Sequence, residues 1–283
     1  MLTIFLALAS SAFYGVADFL GGLASRRVPS FTVAAVAVGT GLGGLLVALP
    51  FMSAGVDPTA RDLAWGAASG AAGGVGVGLL YAALAMGRMS VVAPVTAVCG
   101  LAVPVIVGFA LGERPSVAAV AGVILAAAAV VLISQGHESD ADRPGVDDAR
   151  ALAFALASGV AIGGFYVCLQ RTPPSAGLWP VIVGRAVSFA GFTTIGLAKR
   201  RPMTIARPTL WLVVAGGVID AGANVLYLVA VRRGLLSVVA TLASLYPAST
   251  VLLARLVLGE RVRLVQAAGL TVAAAAVVLI GVG

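Results

Sequence analysis

Apolar residues run through this chain in stretches of about twenty, the length a helix needs to cross the hydrocarbon core of a bilayer, with short polar joints between them. Ten such stretches follow one another: Leu2–Ala24, Phe31–Met52, Leu63–Met86, Ser90–Leu111, Ser116–Gln135, Arg150–Gln170, Trp179–Ala198, Leu210–Val231, Leu236–Leu258 and Leu264–Gly281. Most of the joints are too short to hold a domain. At membrane depth every backbone polar group must be satisfied inside its own segment, which helices do and open strands do not. The pattern therefore predicts an all-α, polytopic membrane protein of ten transmembrane helices. The first stretch has no basic flank and is too long for a signal-peptide core, so it is expected to remain as a helix.

Composition agrees with the pattern. The chain is 60% hydrophobic and only 10% charged, with a mean hydropathy of +1.09, which excludes an ordinary soluble domain. The net charge of +7 raises nucleic acid as a partner. However, the basic residues are scattered over the joints without interleaved aromatics, so the expected partner is the lipid bilayer and not nucleic acid. The odd-numbered joints hold eleven Lys and Arg residues and the even-numbered ones five. By the positive-inside rule the odd joints face the cytoplasm and both termini lie outside. Cys99 and Cys168 fall inside apolar stretches, where they read as small buried residues. No metal site or cofactor is implied.

The chain also repeats itself. Ser90–Arg114 (SVVAPVTAVCGLAVPVIVGFALGER) and Ser237–Arg261 (SVVATLASLYPASTVLLARLVLGER) begin and end alike, 147 residues apart. The same offset pairs Gly87 with Gly234, Gly122 with Gly269, and the two AAAAVVLI runs that begin at Ala126 and Ala273. One unit is duplicated. Residues 1–135 form the first copy and 150–283 the second. Between them, residues 136–149 lie in an acidic stretch with Pro and Gly (HESDADRPGVDDAR from His137 to Arg150) that reads as a solvated linker. Five crossings per copy is an odd number, so the second copy enters from the opposite side. Two inverted five-helix repeats are the usual architecture of secondary transporters, whose sites lie near the midplane where the halves meet.

A helix ending in LGER, then a short polar turn and a Gly-containing apolar helix, resembles the EamA-type module of the drug/metabolite transporter superfamily. The resemblance spans Leu2 to Ile280 and implies two modules of five helices, without specifying a substrate. For Glu113 and Glu260 of the LGER pair it implies a structural turn. The residues themselves suggest a surface ion pair or a helix cap. Nucleotide-sugar members of the superfamily have both termini in the cytosol, opposite to the orientation the charges favour.

Several polar residues lie at membrane depth. Ser11, Tyr14 and Asp18 share one face of the first helix. A carboxylate there must face a cavity, pair, or snorkel toward Arg26 and Arg27, because lipid exposure costs at least ~2.5 kcal/mol. Gly66, Gly70, Gly74 and Gly78 form an i, i+4 ridge suited to close helix packing or to a moving contact. Pro104 and Pro247 sit mid-span in equivalent helices, as gating or cavity-lining breaks or as static kinks. Arg185, central in its span, must meet a carboxylate (Asp18 or Asp220) or an anionic substrate group. An arginine in that second helix of the module is similar to one many EamA-type units carry. Asp220, Asn224 and Tyr227 make a polar stripe that fits a wet cavity or another polar helix, with an Asp220–Arg185 salt bridge as the structural alternative.

These features predict a secondary transporter, a monomer or homodimer in a cell (plasma or inner) membrane. It would export or import a small polar metabolite or drug by alternating access, with Asp18 or Asp220 binding a proton. The chain has no GxxxxGK[ST] motif for nucleotide coupling. A non-transporting accessory subunit is the alternative. An intramembrane enzyme fits poorly, since no Lys lies in a span and the only histidine, His137, is in the linker.

Overall fold

The computed structural model describes residues 1–52, 56–86, 89–134, 148–200, 204–259 and 262–282. The linker, Glu260 and Arg261 lie outside the described residues, apart from the linker's last few positions. The described residues form eleven α-helices: α1 (Leu2–Ser25), α2 (Ser30–Met52), α3 (Ala60–Met86), α4 (Met89–Ala110), α5 (Val117–Ser134), α6 (Asp148–Gln170), α7 (Trp179–Ala198), α8 (Arg207–Val231), α9 (Leu236–Ala243), α10 (Tyr246–Leu258) and α11 (Leu264–Val282). By length and composition they supply ten membrane spans, with α9 and α10 together forming the ninth.

Packing follows the duplication. α3 lies against α6 and α7, and correspondingly α8 lies against α1 and α2; α5 pairs with α11. Individual contacts exchange in the same way. A Cβ built on Gly122 would fall 2.6 Å from Ile280, and one on Gly269 would fall 2.8 Å from Ile133. The 147-residue offset relating Gly122 to Gly269 also relates Ile133 to Ile280, so the α5–α11 contact is made twice by one rule. Gly70 meets the carbonyl of Gly184 as Gly217 meets that of Ala37. Ser10 Oγ donates to Ala223 O at 2.8 Å, and Ser158 Oγ to Gly76 O at 2.7 Å. Such pairing is the signature of two copies related by a pseudo-twofold axis, and with five crossings each that axis lies in the membrane plane.

The glycine ridge of α3 meets a matching row on α7. Gly66 abuts Pro180, Gly70 abuts Gly184 and Gly74 abuts Ser188, so two i, i+4 rows approach backbone to backbone. Ser188 Oγ closes the seam by donating to Gly70 O at 2.7 Å. Gly78 is an exception to the expected ridge. A Cβ there would meet nothing within 4 Å.

The two prolines behave differently. Pro104 lies inside the continuous helix α4. Pro247 occupies the first turn of α10, just past a break at Ser244 and Leu245. A proline fits the first turn because its missing N–H would have no intrahelical acceptor there.

On the face where α4 ends and α9 begins, the copies are tied together. Glu113 Oε1 accepts from Leu236 N at 2.5 Å, while Oε2 accepts from Ser237 N at 3.0 Å and Ser237 Oγ at 2.7 Å. The LGER glutamate is thus a helix cap, but for a helix of the other repeat, placing its charge on that helix's positive end. On the same face Arg232 donates to Thr172 O at 3.0 Å and Gly177 O at 2.8 Å. Burial lowers its guanidinium to about 10, with Asp62 opposing the shift, so it stays charged at neutral pH.

Candidate transport cavity

Between the repeats is a cavity of about 540 Å³. Its inner wall includes Thr96, Tyr166, Ser244, Tyr246 and Thr250, around the break between α9 and α10. Toward Arg26, Ser134 and Leu258 it reaches the C-terminal ends of α1, α5 and α10, all on the face opposite the Glu113 cap. One face is tied and the other carries the opening.

Asp18 lies on the cavity wall with its side chain exposed to that space. It makes no hydrogen bond or ion pair among the described residues, and Asp220 is its electrostatic neighbour. Of the six polar candidates from the sequence it is the one that lines the cavity.

The others gather behind that wall. Arg185, 7% exposed, pairs through Nη2 with Asp220 Oδ2. Its Nε and Nη1 have no hydrogen-bond partner among the described residues. The space for the guanidinium comes from Gly41 of α2, where a Cβ would lie 2.6 Å from Nη1. Asn224 Nδ2 donates to Asp220 O at 2.6 Å, one turn back on its own helix. Tyr227 is fully buried and donates to Tyr166 O at 3.3 Å. The Tyr14 hydroxyl is buried without a partner, within electrostatic range of Tyr166, Asp220, Arg185 and Tyr227. The polar stripe of α8 therefore finds its partners on α7, on α6 and on its own backbone.

Sequence reasoning passed over most of the wall. Tyr166 and Tyr246 come from different spans, and neither stood on a stripe with a charged residue. Their rings belong to a central aromatic group: Tyr14 and Tyr246 meet edge-on at 6.4 Å, and Tyr166 and Tyr227 lie 4.6 Å apart. The available signal was Tyr246–Pro247 itself, an aromatic beside a mid-span proline. Thr96, Ser244 and Thr250 gave none, because hydroxyls recur throughout apolar helices.

An all-helical bundle with ten spans in two inverted copies and a cavity between them defines a polytopic membrane protein of the transporter type. The model of the EamA-like transporter family matches residues 1–135 and 149–282, and the chain belongs to that family. A solved crystal structure of a protein shares the fold, with a TM-score of 0.78 at 17% identity, over 99% of this chain and 96% of the other. No curated protein sequence matches the chain.

Proposed function

We propose that this protein is a secondary transporter of a cell membrane. It moves a small polar metabolite or drug by alternating access, with Asp18 as the group that exchanges substrate for a proton. The observation carrying this reading is the unpartnered Asp18 carboxylate on the wall of the cavity between the repeats. A lone carboxylate at membrane depth is costly to keep charged without a partner, so it favours being occupied by a proton or by a ligand. If the two compete for one site, only loaded forms cross, and a gradient of one drives the other. The Glu113 and Arg232 contacts would hold one face shut while the opposite face is open. Arg185 and Asp220 serve this scheme as a positioning pair that fixes α7 to α8 behind the wall.

The test uses proteoliposomes containing a pH-sensitive dye and a panel of metabolites added outside. Substrate-dependent proton movement should appear with the wild-type protein and vanish with Asp18→Asn. Unchanged proton movement in Asp18→Asn would remove Asp18 from the mechanism.

A further inference from the structure

The hydroxyls of the cavity wall constrain what the cavity can hold. Ser244 Oγ lies 2.8 Å from Ala240 O, Ser134 Oγ 2.7 Å from Val130 O, and Thr96 Oγ1 3.2 Å from Ala155 O. Thr250 Oγ1 lies 3.2 Å from both Gly15 O and Tyr246 O. A backbone carbonyl has no proton to give, so in each pair the hydroxyl donates. What these side chains turn toward the cavity is therefore oxygen lone pairs. Asp18, when ionised, is also an acceptor only. Among the described residues, the remaining side-chain donors of the inner wall are the phenols of Tyr166 and Tyr246. Pro247 has no N–H, so the first turn of α10 offers one donor fewer to an anion.

Charge points the same way. The cation nearest in depth, Arg185, is off the wall and matched by Asp220. Arg26 stands at the mouth, about 12 Å from Asp18 along the helix. Among the described residues the inner cavity therefore has one net negative charge, a surplus of acceptors, and an otherwise apolar and aromatic wall that includes Phe19, Ile162, Tyr166 and Tyr246. An anion would face Asp18 and a set of lone pairs. A neutral apolar molecule would leave the carboxylate unpaired.

We propose that the cavity binds an organic ammonium ion, a primary or secondary amine in its charged form with an apolar body. Its N–H groups satisfy Asp18 and the Thr and Ser oxygens. Its body packs on Phe19 and Ile162, and the faces of Tyr166 and Tyr246 stabilise the positive charge. A cavity of about 540 Å³ suits a molecule of that kind. This inference rests on the transport reading only for its physiological meaning, because the binding chemistry holds whether or not the ligand moves.

Three probes carry a phenyl ring on a two-carbon chain and differ mainly in the charge at its end: phenethylammonium, 2-phenylethanol and phenylacetate. Thermal stabilisation of the purified full-length protein in detergent measures their binding, since a ligand selective for the folded state raises apparent stability. Phenethylammonium should bind about tenfold or more tighter than either other probe, the factor expected for a charge-assisted hydrogen bond. Asp18→Asn should remove that preference and Asp18→Glu should retain it. The wild-type ranking alone is decisive if Asp18→Asn does not fold. Equal or tighter binding of phenylacetate overturns the proposal, as does stabilisation by none of the three. Phenethylammonium that binds but never crosses the bilayer would refute transport of this probe and leave the ligand class standing. Asp18-dependent flux of an anion would do the reverse.

Discussion

Replacing Asp220 with asparagine would leave Arg185 charged and buried with no carboxylate beside it. Arg185 is 7% exposed, and two of its three nitrogens are already without hydrogen-bond partners among the described residues. Breaking a buried ion pair from one side typically costs about 3–5 kcal/mol. The Asp220 side chain is 36% exposed, so the pair is only partly buried, and the cost should fall at the lower end, about 3 kcal/mol. That is roughly a hundredfold in the folding equilibrium, at about 1.4 kcal/mol per factor of ten. Arg185→Met should cost less, about 1–2 kcal/mol, because the group left behind, Asp220, is less buried than Arg185. The double variant Arg185→Met/Asp220→Leu removes both charges and fills their volume, and should lie within about 1 kcal/mol of wild type. With Asp220→Leu added as the single variant that closes the cycle, equilibrium unfolding by SDS in mixed micelles, followed by tryptophan fluorescence, measures all four corners. Costs that simply add, with no coupling between the sites, would show that the pair does not hold α7 to α8.

Three further outcomes are expected. Gly70→Ala should destabilise the protein by about 1–3 kcal/mol, since its Cβ would strike the Gly184 carbonyl, whereas Gly78→Ala, facing open space, should be close to neutral in the same unfolding assay. Glu113→Gln weakens a charged cap, so a cysteine introduced at Leu235 in a Cys99→Ala/Cys168→Ala background should react with a polar maleimide about tenfold faster, the factor for losing one charge-assisted bond; an unchanged rate counts against the cap as the tie that closes that face. Pro247→Ala restores an N–H at the break between α9 and α10, so binding of phenethylammonium should weaken several-fold while thermal stability changes little. Unaltered binding would mean that the break is fixed by packing alone.

Span number and boundaries were legible because a bilayer imposes a length on every crossing helix, and the repeat was legible because SVVA and LGER recur at one distance. The candidate site was less so. Arg185 and Asp220 each stood out as a charge within an apolar run. That they satisfy each other, while Asp18 alone reaches the cavity, depends on how α1, α7 and α8 are rotated about their axes. Gly41 looks like any other glycine until the guanidinium is seen lying on it. Glu113 read as a surface ion pair or a helix cap, and nothing in the sequence said that the helix it caps begins at Leu236 and Ser237, more than 120 residues away.

Hydropathy and duplication by themselves determined a membrane bundle of two opposed five-helix copies, because burial of backbone polar groups and the parity of crossings need no knowledge of contacts. Which charges cancel, which hydroxyls spend their protons on carbonyls, and which face is tied shut were decided only by the tertiary structure. Each of those depends on helix rotation and depth to within an ångström or two, a precision that the spacing of residues along a chain does not carry.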